Sequence, residues 1–346
     1  MDALVNSSPQ ITIAGESRDA LQSSVVSIRV TQPINGMSHM ELNLVNWGQG
    51  SDNSEPGFMF NDINLGDEID VEMGLGQQQK VFSGEITALE EHYGNGAPQL
   101  VVLAEDKLHR LARIRQSRSH EEMSADDVIQ SLIEDTGLQG DISVSTIVDT
   151  FNQINESNLA YILRLGRRYG INARIVENQL RMRAEEESRD AIEVDLQRDV
   201  VSARITADLN HQPLSCKQRG WNPDTDDEAR GQSQTLSTTG RSAEQILNDL
   251  GWPGEDLTPC PFPSSNGQAE AYAQAHFERR ARHFVEARLR LGGNPALKAG
   301  EQLVLRNGSP RFNGTYRIQE ARHIFDRRQG YETHLLLSSA AIEESA

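Results

Sequence analysis

The sequence predicts a mainly β protein with α+β insertions. Three observations carry that expectation. Strand-like segments separated by Gly, Asn and Pro fill residues 11 to 104, the periodicity turns helical between about 116 and 190, and a set of strand features near the N-terminus returns in the same order near the C-terminus.

Ile11 and Ile13, Val25 to Val30, Met40 to Val45, Ile69 to Met73, Val81 to Leu89 and Leu100 to Leu103 read as strands of an antiparallel barrel or sandwich within residues 1–115. The period then changes. Ser124 and Asp127 have the spacing of a helix cap, Val128, Ile129, Leu132 and Ile133 share one side, and Gly137 ends the helix. A second helix runs from about Ser157, with Leu159, Ile162, Leu163 and Tyr169 at helical spacing, and stops at Gly170. Ile171 to Val176 and Leu180 to Arg183, joined at Glu177-Asn178, form a hairpin that completes an inserted α/β module over 116–190.

Val194 to Trp221 returns to a strand pattern, and 191–225 joined with 283–346 is expected to form a second β-barrel. Between them, 226–282 reads as a polar insertion with helices, one opened by Ser242 and Gln245 in capping-box spacing and one running from Gln268 to about Arg282. Val285, Ala287, Leu289 and Leu291 alternate with Glu286, Arg288 and Arg290, a strand with one buried face.

The repeated order of features predicts an internal duplication. Leu65-Gly66-Asp67-Glu68 leads into Ile69-Asp70-Val71, followed by Phe82-Ser83-Gly84 and by His92-Tyr93; Ala299-Gly300-Glu301-Gln302 leads into Leu303-Val304-Leu305, followed by Phe312-Asn313-Gly314 and by His323-Ile324-Phe325. Gly84 and Gly314 take matching positions in this alignment.

Composition narrows the chemistry. The 346 residues carry a formal charge of -18, which argues against a protein that grips phosphate backbones and hence against sequence-specific nucleic-acid binding. Aromatic residues make up 5%, too few for the exposed aromatic platforms of a carbohydrate-binding module. Cys216 and Cys260 stand apart from each other and from any ligand spacing, so neither a zinc site nor a disulfide framework is expected. The opening MDALVNSSPQ lacks a basic region followed by an apolar stretch, and no segment has the length of a membrane span, so synthesis in the cytoplasm is expected.

A two-residue turn at Arg328-Gln329 would set His323 opposite His334, whereas a slip of one residue puts them on opposite faces, and no third ligand is evident. His120-Glu121-Glu122-Met123 resembles the start of a zinc-protease helix, but Ser124 stands where the second histidine belongs. There is no phosphate-binding glycine loop and no Gly-x-Ser-x-Gly elbow. A carboxylate pair for muramidase chemistry could arise by chance among 51 acidic residues, which leaves a tail-associated peptidoglycan hydrolase as the alternative from another class. The expectation is a protein that is not an enzyme, with no catalytic residues, no cofactor and no metal.

Phe151-Asn152-Gln153-Ile154-Asn155-Glu156-Ser157-Asn158-Leu159, continuing through Ile162-Leu163-Arg164-Leu165-Gly166 to Gly170, resembles a segment of the phage late control protein D family and of its type VI secretion relative VgrG. Arg219-Gly220-Trp221-Asn222-Pro223, Leu297 to Leu305 and Phe312 to Leu337 follow in the family's order, with Asn222 in place of the usual Asp. The resemblance implies two tail-tube-like antiparallel β-barrels plus small α/β modules. It also implies a homotrimeric baseplate hub of a contractile tail, a pseudo-sixfold adaptor joining the tail tube ring to a trimeric spike and touching baseplate wedge or other hub-proximal proteins. The barrel and β-helical spike of VgrG do not follow before Ala346, so a separate spike protein is expected. Such a hub is made in the bacterial cytoplasm and ends in a virion tail, a headless tailocin or another contractile injection system.

Overall fold

The computed structural model describes residues 8–49, 55–94, 96–185, 191–223, 225–258 and 260–343. Residues 1–7, part of the stretch read for a leader, lie outside the described residues. No helix among the described residues is long and apolar enough to cross a membrane.

The first part of the chain forms β1 (Gln10–Ile13), α1 (Asp19–Ser24), β2 (Val25–Pro33), β3 (His39–Val45), β4 (Glu68–Met73), β5 (Gln79–His92) and β6 (Gln99–Glu105). In space the strands run β1-β4-β5-β6-β3-β2, every neighbour antiparallel. Period-two alternation sends Met40, Leu42 and Leu44 of β3, and Ile69, Val71 and Met73 of β4, into one core with Ile28 and Val30. Each such side chain contributes about 1.5 to 3 kcal/mol by leaving water.

A middle module follows: α2 (Leu108–Arg113), β7 (Arg115–Ser124), α3 (Ala125–Ile133), β8 (Gln139–Ile142), β9 (Val148–Ser157), α4 (Asn158–Tyr169), β10 (Arg174–Val176) and β11 (Gln179–Met182). The sequence signals act as expected. The Ser124 hydroxyl accepts from the Asp127 N–H in a full capping box, Ser157 caps α4, and Gly170 ends it in the left-handed region. Glu177 and Asn178 both have positive φ, the geometry of the tight turn between β10 and β11. Val128, Ile129, Leu132, Tyr161, Ile162 and Leu165 form a separate core.

The remainder comprises β12 (Ile192–Asp195), β13 (Val200–Ala207), β14 (Ser215–Asn222), β15 (Asp227–Ser233), β16 (Arg241–Ser242), α5 (Ala243–Leu250), β17 (Glu255–Thr258), α6 (Asn266–Ala281), β18 (Val285–Gly292), β19 (Gln302–Arg306), β20 (Gly314–Asp326), β21 (Gly330–Ser339) and β22 (Ala341–Ile342). Six of these strands run β12-β19-β20-β21-β18-β13 in space. Renumbered from the start of each half, that is the order of the first half. The one difference in sense is that β12 lies parallel to β19 where β1 is antiparallel to β4.

The duplication extends to single hydrogen bonds. Gly66 N–H donates to Ile86 O and Ile86 N–H to Asp67 O at 2.8 and 2.9 Å; Gly300 and Ile318, and Ile318 and Glu301, repeat both bonds at the same distances. A bulge interrupts β5 between Ile86 and Ala88, and one interrupts β20 between Ile318 and Glu320. Ile86 therefore matches Ile318, Gly84 matches Tyr316, and Phe82 matches Gly314. The sequence alignment that equated Gly84 with Gly314 is out by two residues, because both copies happen to carry Phe-x-Gly at different points of the strand.

The mainly β class with two tube-like units is what the chain forms, as two halves of one curled 12-stranded sheet joined where β2 pairs with β20. The expected composition of the second unit changes in one respect. Ser215 to Asn222, assigned above to 191–225 of the barrel, instead pairs with β15 and β17 in a separate three-stranded sheet. The insertion therefore begins just after β13, and α6 carries it onto the middle module, with the Tyr169 and Tyr272 rings 5.3 Å apart and Gln268 Nε2 donating to Asp149 at 2.6 Å.

Candidate functional site

The junction between the halves combines a strand pairing with buried apolar and polar side chains. Seven residue pairs, Ser27 opposite Asp326 through Pro33 opposite Glu320, join β2 to β20. Phe325 and Tyr331 come from the second half but sit in the core of the first. His323, fully buried, lies beside Val30 and opposite Thr333, and its Nδ1 is 2.8 Å from the Tyr331 hydroxyl. Burial, helped by the charge of Lys298, pulls its pKa down to about 3, so the ring is neutral.

The turn that sets this register has three residues, since Asp326 pairs with Gly330. His334 therefore stands opposite Arg322, on the other face from His323, and contacts Glu332 at 3.1 Å. Glu332 also holds Arg290 through two bonds of 2.9 and 2.6 Å, and chiefly through that arginine its carboxyl is kept below the usual range. The two histidines cannot share a metal.

Each junction strand has a counterpart that, among the described residues, leaves one edge unpaired. Residues 25–31 read Val-Val-Ser-Ile-Arg-Val-Thr and 200–206 read Val-Val-Ser-Ala-Arg-Ile-Thr, and both strands bulge after the first valine. This match lies in the strands, outside the turns and glycines that align the two copies in sequence. β13 pairs with β18 on one side and, among the described residues, with no strand on the other. In the same way β5 from Ala88 to His92 pairs with β6 alone, whereas the matching Glu320 to Ile324 of β20 is held on both sides. Exposure follows pairing: Val30 is buried while Ile205 is half-buried, and Phe325 is 7% exposed while its counterpart Tyr93 is 65% exposed. Tyr93 ends a run of edge-to-face aromatics, Trp47 to Phe58 at 5.2 Å and Phe58 to Tyr93 at 6.3 Å.

The remaining candidates are scattered. His120 is buried and stacked on Tyr161 at 5.9 Å, and burial lowers its pKa; Glu121 and Glu122 are exposed on the strand before the Ser124 cap. Cys260 is exposed, but Cys216 is not isolated as the spacing suggested: its sulfur, an Asp256 oxygen and a His276 nitrogen lie within 4.8 Å of one another. That cluster is already internally satisfied. His276 Nε2 is 2.9 Å from Asp256, which also pairs with Arg280, and Arg279 donates to His276 Nδ1 at 2.9 Å. Burial and then the Asp256 charge push the Cys216 thiol up to about 12, which keeps it protonated and a poor nucleophile. A cavity of about 390 Å³ beside it is lined by Trp252, Glu255, Asp256 and Arg280. Its two carboxylates are paired with Lys217 and with His276 and Arg280, and the His276 contact chiefly holds Asp256 ionised, the reverse of what a glycosidase acid requires.

Comparison places the fold. The profile of the family described as "Alg8 N-terminal domain" matches residues 4–326. No curated protein matches the sequence. The 43 kDa tail protein of prophage MuSo2 from Shewanella oneidensis superposes with a TM-score of 0.73 at 11% identity, over 98% of this chain and 100% of that one. A tail protein from Neisseria meningitidis MC58 gives 0.70 at 10% identity, over 96% of each. The E. coli c3393 protein, a type VI secretion component structurally similar to the T4 bacteriophage tail proteins gp27 and gp5, gives 0.63 at 11% identity, over 97% of this chain and 79% of that one. These likenesses show a shared fold over nearly the whole chain.

Proposed function

The chain belongs to the family described as the Alg8 N-terminal domain, and we propose that its work is structural: it is the baseplate hub of a contractile tail, of the late control protein D kind. The reading rests on the fold and on one observation. The chain repeats a six-strand unit, closes one junction between the units internally, and among the described residues leaves the matching edges of a second junction unpaired.

A head-to-tail contact of that kind generates a ring if its rotation closes. Three chains then present six like units to the sixfold tube above and a threefold axis to a separate spike below, with baseplate wedge proteins at the rim. The mechanism is symmetry matching and transmission of force through a continuous sheet. The formal charge of -18 suits a passage to which nucleic acid does not adhere. The protein is made in the bacterial cytoplasm and becomes part of a virion tail or injection particle. This localisation fits the fold likeness to the tail proteins from Shewanella and Neisseria.

Mass measured in solution, alone and with the tube and spike proteins encoded nearby, tests the reading. The expected result is a trimer that bridges both partners in electron micrographs of assembled tails. A chain that stays monomeric with both partners present, and is absent from purified tail particles, overturns it.

A further inference from the structure

We infer that β13 of one chain pairs antiparallel with the C-terminal part of β5 of a second copy, in a register fixed by the junction inside the chain. This rests on the ring reading above. It specifies which edges meet, residue against residue.

The register follows from the repeat. β2 and β13 share sequence, bulge and place in their halves, and β20 and β5 share the bulge and the flanking bonds. Inside the chain, Ile28 stands opposite Phe325, Arg29 opposite Ile324, Val30 opposite His323 and Thr31 opposite Arg322. Carried over, Ala203 stands opposite Tyr93, Arg204 opposite His92, Ile205 opposite Glu91 and Thr206 opposite Glu90. A slip of one residue would turn Ile205 to the wrong face.

Three features fit this occupant. Closely similar strand sequences are largely covered as β2 and open as β13, so the chain itself shows what a partner strand does to such a sequence. Ala203 and Ile205 fall on the face that receives Tyr93, whose counterpart Phe325 is plugged into the neighbouring half, so Tyr93 and the Phe58 and Trp47 rings behind it have an apolar seat in the second copy. On the other face Arg204 meets His92 and, diagonally, Glu90, a complementary pair where like charges would repel. Glu91 takes the place of His323 and already accepts the Tyr93 hydroxyl. An exposed edge of this length with matching sequence would otherwise invite unspecific pairing.

Cysteines at directly opposed strand positions lie within disulfide reach. All variants carry Cys260→Ser to remove the exposed native thiol, while Cys216 is buried. In full-length protein, Glu90→Cys with Thr206→Cys should give, on oxidation, covalent dimers and trimers that dithiothreitol dissolves. Glu91→Cys with Thr206→Cys, one residue out of register, should give at least tenfold less. Charge reversal supplies a second measurement: Arg204→Glu should lower the ring fraction about tenfold, and adding Glu90→Arg should restore it. Rings of wild-type mass that cross-link equally in both registers, or in neither, with no rescue by the double reversal, overturn the pairing while leaving the hub reading standing. A chain that forms no ring and enters no tail overturns both.

Discussion

At the scale of single residues, burial pulls two ionisable groups in opposite directions, and each leaves a signature in the pH dependence of stability. His323 has a folded pKa of about 3, below the unfolded value. The unfolded chain takes up the proton first, so the stability this group contributes is complete above about pH 6.5 and is lost as the pH falls toward 3, at no more than about 1.4 kcal/mol per pH unit. Asp106 accepts from the Leu108 and Ser38 N–H groups at 3.0 and 2.7 Å, yet burial raises it to about 6. There the folded state holds the proton more tightly, so stability falls as the pH rises from about 4 to about 6 and is level above. Denaturant midpoints against pH for wild type, His323→Gln and Asp106→Asn separate them. The wild-type advantage over His323→Gln should grow between pH 3 and 6.5, and that over Asp106→Asn should shrink between pH 4 and 6. Parallel curves would mean that neither group titrates as its burial dictates.

At the scale of elements, the two Phe-x-Gly steps do different work. A Cβ at Gly84 would lie 2.3 Å from the Glu105 backbone oxygen, so Gly84→Ala pushes β6 away from β5. A Cβ at Gly314 would meet only the flexible Glu343 side chain, at 3.3 Å, but the residue has a φ of +118, which a side chain resists. Gly84→Ala and Gly314→Val should each cost roughly 1 to 3 kcal/mol, the first by steric overlap and the second by backbone strain. Equilibrium unfolding in urea measures both. A wild-type midpoint for Gly84→Ala would show that the β5 and β6 backbones are not in close contact there.

At the scale of the whole molecule, the insertion and the middle module act as one body. α6 reaches α4 through Tyr272 and Tyr169, and β9 through Gln268 and Asp149. Tyr272→Ala removes a buried ring and should cost roughly 3 to 5 kcal/mol. Hydrogen exchange should rise together in 116–185 and 208–281 while β3, β4 and β6 keep their protection. Loss of protection in the insertion alone would show that the two modules open independently.

The sequence by itself determined what short-range chemistry can encode. The caps at Ser124, Ser157 and Ser242, the stop at Gly170, the Glu177-Asn178 turn and the alternation of Val285 to Leu291 are each a local contest between backbone and side chain, and each formed where its residues predicted. The existence of a repeat was legible too, in the order of its features. Register was not. Sliding β21 by one residue against β20 leaves every local preference unchanged, and only packing of Phe325 and Tyr331 into the first half settles that His323 goes inward and His334 outward. The same holds for Cys216, brought to Asp256 and His276 by a sheet that forms across forty residues of chain. The open edges were hidden for the same reason: Val-Val-Ser-x-Arg-x-Thr reads alike in both places, and whether it is buried or exposed depends on the strand beside it, which for β2 lies within the chain.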